Sequence, residues 1–250
     1  MADAGATKMP DDSTPASYAC LEEAIHSTSA EVLKAAAADP SLNEDLALAL
    51  LKRSDLPPEV LEQISKNPVV KNRKAKLAIV GHPKTPRYVS ATLLRQLFTF
   101  DLMKIALTSV IPGDIKAAAE EALIKRVESL SSGEKISLAR RASGRVVGAL
   151  LLDPETRVIH AALENPRLTE ALVVRALTNA GSSAVLVRTV CRHAKWSLRR
   201  EIRIALLRNE KTPLRFAKEF AKALPLALVK EVLQSSRVPA AVKSQLLGQE

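Results

Sequence analysis

Asn165-Pro166-Arg167-Leu168-Thr169-Glu170-Ala171-Leu172 decides how the chain is read, because Asp39-Pro40-Ser41-Leu42-Asn43-Glu44-Asp45-Leu46 repeats its pattern 126 residues earlier. Both stretches read as a tight turn between two helices. Asn165 or Asp39 ends the first helix, and the proline, lacking an N–H and clashing with the preceding turn, prevents its continuation. Thr169 or Asn43 then caps the next helix, with a glutamate in its first turn where the helix dipole favours negative charge.

Working outward, the same punctuation recurs. Thr14-Pro15, Thr85-Pro86 and Thr212-Pro213 read as helix starts, threonine as cap and proline at the first helical position. His82 holds the helix-end place that Asn165 and Asn209 hold elsewhere. Pro58, Pro86 and Pro112 lie 28 and 26 residues apart, and Pro213 and Pro239 lie 26 apart. That interval fits two helices of about ten residues with two short turns. The 47 residues from Pro166 to Pro213 break the register. Leu198, Ile202, Ala205 and Leu206 share one helical face over Leu198 to Arg208. Ser182 to Cys191 alternates like a strand through Val185, Val187 and Thr189, but a lone strand would strand its own backbone groups, so helix is expected there.

Composition agrees with helix. Aromatic residues make up 3% of the chain and glycine contributes 8 residues, few for a sheet protein. Residues 1–13 are polar and aperiodic and read as a disordered leader, leaving 14–250 as one helical-repeat domain. The leader has neither a cationic start nor an apolar core, so no signal peptide is expected, and no run is long enough to span a bilayer. Cys20 and Cys191 are isolated, which fits a reducing cytoplasm without a disulfide framework. The net charge of +10 conceals a division: residues 1–70 hold 5 Lys/Arg and 12 Asp/Glu, whereas 71–250 hold 32 and 15. A basic part of that size suits an anionic partner.

Short helix pairs joined by Asn-Pro, Asp-Pro or Thr-Pro turns resemble the α-solenoids of the HEAT-like type. They are especially similar to the leucine-rich-repeat-variant group, including its bacterial members. The resemblance covers most of residues 39–248 and implies an all-α, right-handed α-solenoid of short antiparallel helix pairs. Some members of the variant group carry an N-terminal cysteine cluster for an iron–sulfur centre. Only Cys20 lies in that region here, so the resemblance brings no cofactor with it.

The candidate binding surface is cationic. Arg188, Arg192, Lys195, Arg199, Arg200, Arg203 and Arg208 run along two successive helices, with Lys211 just beyond. Arg188 with Arg192, and Arg199 with Arg203, are like charges four residues apart, a spacing that is repulsive on a helix. Glu201 and Glu210 are the local relief. Tolerated repulsion points to an anionic partner: a protein or other acidic surface first, nucleic acid as the alternative. Trp196, the single tryptophan, is placed either to stack on a base or an arginine plane, or to anchor a helix junction in the core. Lys71, Arg73, Lys74, Lys76, His82 and Arg87, and separately Arg140, Arg141 and Arg145, are secondary basic runs that read more readily as solvated faces.

No catalytic or metal-binding residue is expected. Cys191-Arg192-His193 offers two ligands where a tetrahedral site needs four, and no Gly-x-Ser-x-Gly or phosphate-cradling glycine loop is present. The chain is also similar in size, helicity and basicity to the HEAT-like alkyl-purine DNA glycosylases. That family uses aromatic residues and an aspartate at its lesion site. Beyond residue 70 the aspartates here are Asp101, Asp114 and Asp153, and none stands in a matching motif.

Overall fold

The computed structural model describes residues 15–236 and 238–247. The expected leader and Thr14 lie outside that range. Every regular element among the described residues is helical. The chain divides into two compact units, each described by itself. The first comprises the residues up to Asp101 together with Thr108–Ala118, and the second comprises Leu102–Leu107 and the residues from Ala119.

In the first unit α1 (Pro15–Ile25), α2 (Ala30–Ala38), α3 (Glu44–Leu51), α4 (Pro58–Lys66), a 3-10 turn at Pro68–Lys71, α5 (Arg73–Gly81) and α6 (Arg87–Leu94) follow in order. After them come α7 (Thr99–Leu107), α8 (Gly113–Arg126) and a 3-10 turn at Val127–Ser129. The second unit continues with α9 (Ser132–Arg141), α10 (Gly144–Leu150), α11 (Thr156–Leu163), α12 (Glu170–Thr178) and α13 (Ala184–Arg192). It ends with α14 (Arg200–Arg208), α15 (Leu214–Lys222), α16 (Leu226–Gln234) and α17 (Ala240–Leu247).

Most of these helices have seven to eleven residues, too short to persist alone in water. Packing holds them, and its pattern is regular. In the first unit α2 packs on α4 and α3 on α5. In the second, α9 packs on α11 and α11 on α13, while α10 packs on α12, α12 on α14 and α14 on α16. Each of these helices thus meets the next but one. The buried faces are aliphatic: Leu150, Leu151, Val158, Ile159, Val173, Leu186 and Leu206 are inaccessible to solvent. A leucine or isoleucine so placed stabilises the fold by roughly 1.5–3 kcal/mol.

The helix ends explain the register. The Asn67 amide nitrogen donates to the carbonyls of Ala37 and Asp39 at 3.1 and 2.8 Å, and its Oδ1 accepts the Val69 N–H. Asn165 repeats this with Ala139, Ala142 and the Arg167 N–H. Asn209 does so with Leu177 and the Lys211 N–H. His82 performs both tasks with its ring, Nε2 meeting the Arg53 carbonyl at 2.8 Å and Nδ1 accepting the Lys84 N–H. Each residue turns its own chain and closes a carbonyl at or just past the end of the helix next but one before it. Asn165, Asn179, His193 and Asn209 stand 14, 14 and 16 residues apart. The 47-residue proline gap is therefore three helices, two of whose ends use no proline.

Several local expectations are met differently. Asn43 caps α3 by accepting the Leu46 N–H, but Thr169 occupies the cap position of α12 without a side-chain bond. Thr85 and Thr212 do not cap the helices that follow. Pro86 and Pro213 are themselves the cap residues, and each threonine hydroxyl donates backward, to Ile79 and Leu206 carbonyls at 2.5 and 2.6 Å. Ser131 and Glu134 form a reciprocal capping box at α9. Residues 184–192 are helical. Leu198 lies before α14 and is 67% exposed, so it leaves the buried face on which its spacing placed it.

Candidate functional site

The seven cations of the candidate surface lie within the second unit, distributed over two helices and their connection. Arg188 and Arg192 are exposed one turn apart on α13, whose opposite side buries Leu186, Val187 and Val190. Arg199 is the cap residue of α14, Arg200 its first residue and Arg208 its last, and all three are exposed. The two helices belong to different packing series, α13 meeting α11 and α14 meeting α12 and α16.

Arg203 is a different case. It is half-buried, its Nε donates to the Ser197 carbonyl at 2.8 Å, and its guanidinium lies 5.9 Å from the Phe220 ring centre. It ties the α13–α14 connection and α15 to α14. Its first task is structural.

Trp196 sits in the core. Its side chain is 2% exposed, its indole N–H donates to the Leu163 carbonyl at the end of α11 at 2.9 Å, and the Lys195 ammonium lies 4.3 Å from the ring centre. No face remains for a nucleobase. The junction-anchor alternative describes it, and Lys195 is partly committed to the ring.

The ion pairs divide the chain. Arg53, Lys66, Arg73, Lys74, Arg87, Lys125, Lys135 and Arg145 each meet a carboxylate. Beyond Arg145, no lysine or arginine among the described residues does so; the one contact there joins His193 and Glu164. The secondary basic runs are thereby neutralised in part, at Arg73, Lys74, Arg87 and Arg145, with Arg73 in a two-pronged contact with buried Asp101 at 2.7 and 2.9 Å. The C-terminal arginines are not.

The second unit also exposes apolar residues that spacing did not reveal. Leu198, Leu214 and Leu226 are 67%, 37% and 57% exposed. The signal was available at two of them: Leu214 and Leu226 each follow a proline that serves as helix cap, and a first-turn side chain there has no preceding turn to cover it.

Chemistry beyond binding finds little material. Cys191 is buried, and burial raises its thiol pKa to about 12, so it is neither a nucleophile nor a ready ligand. The His193 Nδ1 accepts the Lys195 N–H. Among the described residues no group of three or more His, Cys, Asp or Glu side chains is placed to hold a metal ion. Asp101, Asp114 and Asp153 are all engaged, by Arg73, Arg87 and Lys135. Among the described residues no helix is long and apolar enough to cross a membrane.

The chain is all-α, its short helices packed next but one within each unit, and its exposed C-terminal arginines have no carboxylate partner among the described residues. No family model matches the chain, and searches of the curated proteins and of the solved structures return no match either.

Proposed function

We propose that this chain is a non-enzymatic helical-repeat scaffold whose C-terminal basic surface binds an acidic protein partner. The next-but-one packing within each unit supports reading the helices as pairs of an α-solenoid, the HEAT-like and leucine-rich-repeat-variant arrangement. The free cysteines suit a reducing compartment such as the cytoplasm. One observation carries the partner: Arg188, Arg192, Arg199, Arg200 and Arg208 are exposed and have no carboxylate among the described residues, while the paired cations all lie at or before Arg145. Arginine interspersed with exposed leucine is the composition of a protein interface. With Trp196 buried, the surface lacks the stacking platform that single-stranded nucleic acid favours.

The test is fluorescence anisotropy of the full chain with a labelled Glu/Leu-rich helical peptide and, separately, a mixed-sequence DNA duplex, each across a salt series. The peptide is expected to bind at low salt and to weaken about tenfold or more in the R199E/R200E variant. Failure of both probes at low salt removes the proposal. A duplex that binds far more tightly than the peptide, with a steep salt slope, replaces it with the nucleic-acid alternative.

A further inference from the structure

A groove lined by residues of the first unit has a different chemistry and calls for a different ligand. It runs between the α4–α5 connection and α6 and encloses about 480 Å³, within the range of small-ligand sites. Its wall carries Lys66, Lys71 and Lys76, its floor includes buried Val70 and Leu93, and Tyr88 stands at its side with 59% of its surface exposed.

The polar side chains at the groove play distinct parts. Glu62 pairs with Lys66 at 2.7 Å, so its charge is answered, and its carboxylate near the Tyr88 hydroxyl pushes the pKa of that phenol up. No aromatic or cationic group covers the Tyr88 ring face among the described residues. Lys71 and Lys76 have no carboxylate partner there. Asn67, whose amide is consumed by Ala37, Asp39 and Val69, fixes the backbone that presents Lys71. Two uncompensated ammonium groups beside a bare aromatic ring, over an apolar floor, match a ligand that is flat at one end and anionic at the other. A simple anion would leave the ring idle, and an apolar ligand would leave the lysines unanswered.

We propose that this groove binds a nucleoside phosphate, its base stacked on Tyr88 and its phosphate held by Lys71 and Lys76. The chemistry is shared by a free mononucleotide and by a unit of a single strand. It is independent of the C-terminal surface, which R199E/R200E disables separately.

The experiment uses the full chain with a fluorescein-labelled ten-residue oligothymidylate, and with AMP and pyrophosphate as competitors. Saturable binding is expected to weaken about tenfold in Tyr88→Ala, within the range for one stacked base. It should persist in Tyr88→Phe, which keeps the ring, and in R199E/R200E, and be lost in K71E/K76E. Displacement by AMP at concentrations near that of the oligonucleotide identifies a free nucleotide as the source; displacement only by unlabelled strand identifies single-stranded nucleic acid. Because Tyr88 and Lys71 are exposed, far-ultraviolet circular dichroism should be unchanged in all variants. The proposal is overturned if neither AMP nor the oligonucleotide binds, if Tyr88→Ala binds like the parent, or if pyrophosphate competes as well as AMP.

Discussion

Three asparagines and a histidine set the spacing of this chain, and their chemistry decides what can replace them. At Asn165, 1% exposed, the amide accepts one N–H and donates toward two carbonyls. Asn165→Asp keeps the acceptor but sets a carboxylate oxygen against the Ala139 carbonyl in a site without a cation, so the loss should reach about 2–3 kcal/mol or more. A urea midpoint at neutral pH measures it, and an unshifted midpoint would show that the amide does not hold α9 to α11. Asp39 tolerates a carboxylate because it only accepts, from the Ser41 N–H and hydroxyl, at the surface. Trp196 is the second case. Trp196→Phe removes the bond to Leu163 and is expected to cost about 1–2 kcal/mol while leaving affinity for an acidic peptide unchanged. A stacking role in binding would produce the reverse pattern.

Among the elements, α10 and α12 approach most closely where α10 begins. A Cβ on Gly144 would lie 2.6 Å from the Arg167 carbonyl oxygen, a backbone atom in the turn before α12. Gly144→Ala must therefore push the two segments apart and should cost about 1–3 kcal/mol. Gly148→Ala meets only the Leu172 side chain at 3.3 Å and should cost less, which makes the pair an internal comparison in thermal unfolding. On α14 the contrast is functional: Arg203→Glu withdraws the bond to Ser197 and the contact with Phe220 and should lower stability, whereas R199E/R200E should not. Periodicity alone grouped these arginines, because a helical wheel shows direction but not what lies there. Helix existence was legible even at 184–192, since a lone strand among helices would leave its backbone groups without partners. Thr85 and Thr212 were misread for a related reason. A hydroxyl beside a helix start bonds forward or backward according to the path of the turn, and the dipeptide does not specify that path.

For the whole molecule, the asymmetry of charge was plain in the sequence, but its compensation was not, because ion pairs form between residues such as Arg73 and Asp101 that lie 28 apart. The fold pairs Arg53, Arg73, Arg87 and other earlier cations with carboxylates and leaves residues 146–250 with 17 Lys/Arg against 9 Asp/Glu and no lysine or arginine ion pair among those described. Uncompensated like charge disfavours the compact state more than the expanded chain, and salt relieves it as the screening length shortens from about 30 Å at 0.01 M to about 10 Å at 0.1 M. The single tryptophan lies in the second unit, so its emission follows that unit. Its urea midpoint should therefore rise between 10 and about 150 mM NaCl, over the same range in which binding of the acidic peptide falls. Opposite signs from one variable separate self-repulsion from partner attraction. R199E/R200E lowers the net charge by four units and should flatten both slopes together. A midpoint that falls with salt in the parent would mean that attractive pairs, not bare arginines, dominate this surface, and the binding proposal would lose its physical ground.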